Sequence, residues 1–168
     1  MGVFLFAFLA VLVVGQIALG GKESVFIHKK APSGISRLIK ARLLQSWVVA
    51  VPIGIAVTAI SLLRVPSIDF LTFIGYTGLM TQLIAAYVVL AIGLALLRPE
   101  VSENSREQMM GLMVNGQIVL FVSMGIFIGS QAFLNISFFY TFLLQSAIIW
   151  ILGVLFLQMG KTKLNNIE

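Results

Sequence analysis

The residues that could carry chemistry are few. His28 is the only histidine and lies between Ile27 and Lys29, with no second ligand at metal spacing and no carboxylate motif beside it. The adjacent lysines disfavour its protonated form. Gly160-Lys161-Thr162 imitates the end of a phosphate-binding loop, but Leu155 stands where G-x-x-x-x-G-K-[ST] needs its first glycine. There is no cysteine, hence no thiol nucleophile, disulfide framework or cysteine-held metal. These residues predict neither an enzyme nor a metal or other cofactor. What remains is a set of uncharged amides in or beside apolar runs: Gln16, Gln45, Gln82, Asn115, Gln117, Gln131 and Gln145. In a helix bundle such amides either cross-link helices or line a path for a polar or amphiphilic solute. Gln82, Asn115 and Gln117 are the candidates for a path.

The elements that position them follow from composition. Apolar residues form 60% of the chain, charged residues only 10%, and mean hydropathy is +1.07. A soluble domain carries about a quarter charged residues, so this is a membrane composition. Five apolar runs approach or exceed the roughly 20 helical residues that cross a hydrocarbon core, at residues 3–20, 44–63, 70–97, 111–131 and 136–159. None alternates in polarity as a barrel strand does, and lipid offers the backbone no partners, so the runs are helices. The expected fold is all-α, a single polytopic transmembrane bundle over residues 1–168. The run after Met1 has no preceding Lys or Arg and no Ala-x-Ala site following, which predicts a retained helix rather than a cleaved signal. Gly125-x-x-x-Gly129 and Gly75-x-x-Gly78 are the expected sites of close helix approach, and Pro52 is expected to bend the second span.

Basic residues set the direction. Lys22, Lys29, Lys30, Arg37, Lys40 and Arg42 fall between the first two runs, Arg98 and Arg106 after the third, and Lys161 and Lys163 in the tail; Arg64 alone falls on the other side. The split places loops 21–43 and 98–110 and tail 160–168 in the cytoplasm and the amino terminus outside. The net charge of +5 therefore speaks for a membrane surface and not for nucleic acid. Trp47 is expected at the inner boundary of the second span, and Phe138, Phe139 and Tyr140 at the outer boundary of the fifth. Asn135-Ile136-Ser137 is a formal glycosylation sequon on that outer side.

The stretch Gly21–Gln45 is the least lipid-like. Pro32-Ser33-Gly34 is a turn cluster, Ser33 or Ser36 can cap a helix, and Ile35, Leu38, Ile39 and Leu43 then share one face. That predicts a short amphipathic cytoplasmic helix leading into the second span, held either by anionic lipid or by a cytoplasmic partner. The order Gly-x-Glu, an apolar and basic stretch, Ala-Pro-Ser-Gly, then Lys-Ala-Arg before a span resembles permease subunits of type-2 ATP-binding-cassette exporters. Glu23, Pro32, Ser33, Gly34, Lys40 and Arg42 carry the likeness. Arg98-Pro99-Glu100 and the polar run to Gln108 are similar to the family's other cytoplasmic loop. The likeness covers roughly residues 15–116.

The resemblance implies a coupling helix that rests on a separate cytoplasmic ATPase, with Glu23, Pro32, Ser33, Gly34, Arg37 and Lys40 as the partner-binding set. It also implies a second permease subunit or an amino-terminal half, because family members carry six or more spans with the amino terminus inside. Five spans beginning outside look like the carboxyl part of such a permease. No span as drawn contains an ionisable residue in its interior, which argues against a proton-driven carrier acting alone. The expected function is thus a multi-pass permease subunit, or fragment, of an export system in the cell membrane. The alternative is a non-transporting membrane scaffold whose basic loop binds lipid.

Overall fold

The computed structural model describes residues 2–18, 34–65, 68–97, 105–134 and 137–166, and among these the chain is helical, with no strand. In order come α1 (Gly2–Ala18), α2 (Gly34–Leu63), α3 (Phe70–Leu97), α4 (Ser105–Gly129), a π-helical turn (Ser130–Leu134) and α5 (Phe138–Asn166). Four segments are long and apolar enough to cross a membrane: Ser36–Leu63, Phe70–Leu97, Met113–Ala132 and Phe138–Lys163. α1, at 17 residues, is shorter; it spans about 25 Å at 1.5 Å per residue.

Three boundaries differ from those the apolar runs suggest. α2 is one continuous helix of 30 residues from Gly34, so the segment expected as a separate amphipathic helix is its first three turns. α5 runs to Asn166, which makes most of the expected tail helical, and α4 begins at Ser105 inside the expected loop. The cause is common to all three. Lys, Arg, Gln and Glu end an apolar run but are good helix formers, so the helix continues where the hydropathy stops. Trp47 lies near the middle of α2, and Ser36, one of the two expected caps, lies inside it. Pro52 is accommodated within α2, on its exposed side.

The start of α3 is fixed by Asp69. Its carboxylate accepts the Leu71 amide at 3.2 Å and its carbonyl accepts the Phe73 amide at 2.9 Å, an N-cap in the usual sense. Within the helices, hydroxyls fold back on the preceding turn, as in Thr58 to Gly54, Thr77 to Phe73 and Thr81 to Thr77. Such back-bonding supplies a partner that an apolar surrounding cannot.

α3 is the hub. More than three quarters of its apolar window is buried, against about a quarter for the other three long helices. Its most extensive partner is α5. Leu90 meets Gly153, Phe156 and Leu157 meet Gly93, and Leu96 meets Gly160, so both numbers rise together and the two helices run parallel. α4 pairs with α5 in the opposite sense, Phe127 with Phe142 and Ser123 with Gln145. α2 packs against α3 at Gly54, beside Ile84, and Ser46, Ala50, Gly54 and Thr58 form its buried stripe at four-residue spacing. α1 lays Phe6, Ala7, Ala10, Val11 and Val14 against the bundle, with Val11 beside Gly116 of α4.

The glycines that permit close approach are not those the motif suggested. A Cβ added at Gly75, Gly78, Gly125 or Gly129 would meet nothing within 4 Å. A Cβ at Gly93 would lie 2.8 Å from the Leu157 amide nitrogen and 2.9 Å from Phe156 Cβ; at Gly153, 3.0 Å from the Leu90 nitrogen; at Gly160, 2.6 Å from Leu96 Cβ. Two of the three meet neighbouring backbone at their closest point, and backbone cannot step aside as a side-chain tip can. Gly93→Ala therefore costs about 1–3 kcal/mol through overpacking, whereas Gly78→Ala costs nothing. Thermal unfolding of the two variants in detergent measures the difference.

Candidate functional site

Two places in the bundle gather polar groups. The first is its basic end. Because α2 runs against α3 while α5 runs with it, the beginning of α2 and the ends of α3 and α5 lie together. Arg37 and Lys40 on α2 and Lys161 and Lys163 on α5 are exposed there, and Arg42, one turn further in, is half-buried. Lys163 reaches across to donate to the Leu97 carbonyl at 2.8 Å. A carbonyl at a helix C-terminus lacks an intrahelical donor, and an ammonium also suits the negative end of the helix dipole. Arg64 and Asp69 mark the opposite end. Of the expected partner-binding set, Gly34, Arg37 and Lys40 lie on the first turns of α2. Glu23, Pro32 and Ser33 lie outside the described residues, as do His28 and the polar run after Leu97 up to Ser105.

At the middle of the bundle stands Trp47. Its indole N–H donates to the Ala85 carbonyl of α3 at 3.2 Å, and its ring meets Trp150 of α5 edge-on at 6.3 Å. The basic turns of α2 are thus tied through one side chain to both members of the central pair.

The second place is buried among α3, α4 and α5. Gln145 Nε2 lies 2.8 Å from Tyr87 Oη, 2.7 Å from Ser123 Oγ and 3.4 Å from the Ser123 carbonyl. Tyr87 Oη and Ser123 Oγ are themselves 2.5 Å apart. All three residues are fully buried. The amide nitrogen has two hydrogens and faces three oxygens, while Gln145 Oε1 has no donor. A buried acceptor left without a partner costs about 1–3 kcal/mol. Towards the π-helical turn, Gln131 Nε2 donates to Thr141 Oγ1 at 2.7 Å, and Thr141 is one turn before Gln145. Phe127 stacks on Phe138 and Phe142 alongside, and Phe139 meets Tyr76 and Tyr140 edge-on. Of the aromatics expected as a boundary belt, Phe139 is half-buried and Phe138 and Tyr140 stay exposed.

The three residues expected along a path do not converge. Asn115 is buried on the inner side of α4, whereas Gln82 and Gln117 are exposed on the outer surfaces of α3 and α4. Tyr87 and Ser123 were not singled out by the sequence because a lone tyrosine or serine in an apolar helix is ordinary. Their signal was positional: Thr141 and Gln145 at i, i+4, and Gly116 and Ser123 at i, i+7, put polar groups on faces that also carry small residues. Among the described residues no group of three His, Cys, Asp or Glu could hold a metal ion.

No family model, curated protein or solved structure matches this chain.

Removing the Tyr87 hydroxyl should cost about 1 kcal/mol, the usual worth of an interhelical hydrogen bond in a membrane bundle. Tyr87→Phe is therefore expected to unfold earlier than the parent in a denaturation series in mixed micelles. Gln117→Leu, whose amide faces outward, should not.

Proposed function

We propose that the chain is a multi-pass permease subunit, or the carboxyl part of one, that works with a separate cytoplasmic ATPase in export across the cell membrane. In this reading α1 completes a set of five spans, the amino terminus lies outside, and the basic end faces the cytoplasm, as the positive-inside rule requires. The observation that supports it is the continuity of α2. A 30-residue helix carries exposed Arg37 and Lys40 at its start and is fastened, through Trp47, to α3 and α5. A push on its basic turns is delivered as displacement of one rod against the central pair, with no loop between to absorb it. The outward apolar faces of α2, α4 and α5, among them Val48, Phe121 and Ile151, suit lipid. Residues 43–63 of α2 contain no charge, so energy for movement arrives from outside the bundle.

The second reading is a scaffold without transport activity. It is favoured by the gathering of Arg37, Lys40, Lys161 and Lys163 at one end, where each exposed base near an anionic leaflet contributes about 1 kcal/mol. The two separate on charge reversal. With a candidate ATPase co-expressed, Arg37→Glu with Lys40→Glu should lower co-purification and stimulated ATP hydrolysis, and Lys161→Glu should leave both near the parent level. A scaffold held by lipid would instead lose binding of anionic lipid by the detergent-purified protein with all three substitutions, in proportion to charge and with strong salt dependence, and would show no response to ATPase.

A further inference from the structure

The α3–α5 pair is closed by Gly93, Gly153 and Gly160 along the half of α3 nearer the basic end. α4 meets them differently. Its contact with both is slight beside theirs with each other, and it combines one ring cluster, Phe127 on Phe138 and Phe142, with polar side chains: Ser123 with Tyr87 and Gln145, and Gln131 with Thr141. Ser123 is midway along the apolar segment Met113–Ala132. One end of this seam reaches the π-helical turn Ser130–Leu134, which ends α4.

We propose that this seam is a water-accessible passage from the π-turn end of the bundle to the middle, closed in this structure by the Tyr87–Ser123–Gln145 contacts, and that Gln145 Oε1 receives a hydrogen-bond donor of an uncharged, hydroxyl-bearing solute. The solute rests on the transport reading; the passage does not. The donor requirement follows from Gln145 itself: like the Ser46 and Ser146 hydroxyls its Oε1 is buried without a partner, but it can only accept, while the amide nitrogen is already crowded by oxygens. The lack of charge in the solute follows from the seam, whose described side chains include no ion to balance one.

The chain has no cysteine, so single cysteines report cleanly. The full-length protein in phospholipid vesicles, carrying Ser123→Cys, Thr141→Cys or Ser130→Cys, is treated with the water-borne reagent aminoethyl methanethiosulfonate and compared with Phe121→Cys, whose side chain faces outward. A thiol in an apolar surrounding is held from ionising, and each pKa unit lowers its reactive fraction about tenfold. The seam positions should therefore react at least about tenfold faster than position 121, and Gln145→Leu should speed Ser123→Cys further by releasing the closure. Excess glycerol should slow Ser123→Cys and lose that effect in Gln145→Leu, whereas dimethyl sulfoxide, an acceptor only, should not slow it. Reaction at Ser123→Cys and Thr141→Cys as slow as at Phe121→Cys would overturn the passage. Equal slowing by glycerol and dimethyl sulfoxide would overturn the donor site. Either result stands apart from the ATPase experiment, which needs no labelling.

Discussion

The structure depends on one contact, the approach of α5 to α3 at distances that only glycine allows. Apolar side chains gain little from leaving lipid for a protein interior, so helices in a membrane associate through close packing and polar cross-links. Gly93, Gly153 and Gly160 bring two parallel helices near enough for backbone to touch backbone along the half of α3 nearest the basic end. Lys163 then ties the ends together through the Leu97 carbonyl. Parallel neighbours must be separated in sequence by a helix running the other way, and α4 is that helix. Its looser seat against the pair is a consequence of the same geometry: α3 and α5 have already spent their small residues on each other.

What α4 lacks in close packing it makes up with hydrogen bonds. The Tyr87–Ser123–Gln145 group joins three helices at one level, and the Gln131–Thr141 bond repeats the device a turn towards the π-helical end. A polar group in an apolar surrounding has few alternative partners, which makes such a group specific as well as stabilising. It is also incomplete, since one carbonyl oxygen is unmet. A bundle with one rigid pair and one polar, incompletely satisfied seam has an evident place to yield. In the transport role proposed above, α2, held to the rigid pair by Trp47 and bearing cationic turns at its foot, is the element through which an outside force would reach it.

Much of this architecture was legible in the residues. The apolar runs located the four long helices because lipid-compatible segments cannot be anything else, and the segregation of Lys and Arg anticipated a basic end. The helix limits at Gly34 and Asn166 were not legible from hydropathy, since charged residues stop an apolar run without stopping a helix. The packing glycines were hidden for another reason. Gly93 matters only because α5 is its neighbour, and which helices are neighbours is a property of the whole bundle, whereas Gly125-x-x-x-Gly129 met the local pattern and faces open space. The amides divided in the same way: Gln145 and Asn115 turned inward and Gln82 and Gln117 outward, a choice set by helix rotation and not by residue type.

The account is tested most directly by the sidedness of the two ends. Single cysteines at Lys40, Lys161 and Val65, probed with a membrane-impermeant maleimide in intact cells and in inverted vesicles, report it without disturbing the bundle, since all three positions are exposed. Positions 40 and 161 should react only in inverted vesicles and position 65 only in intact cells. Reaction of position 40 or 161 from the outer side, or of all three from one side, would contradict a bundle that crosses the membrane with its basic end in the cytoplasm.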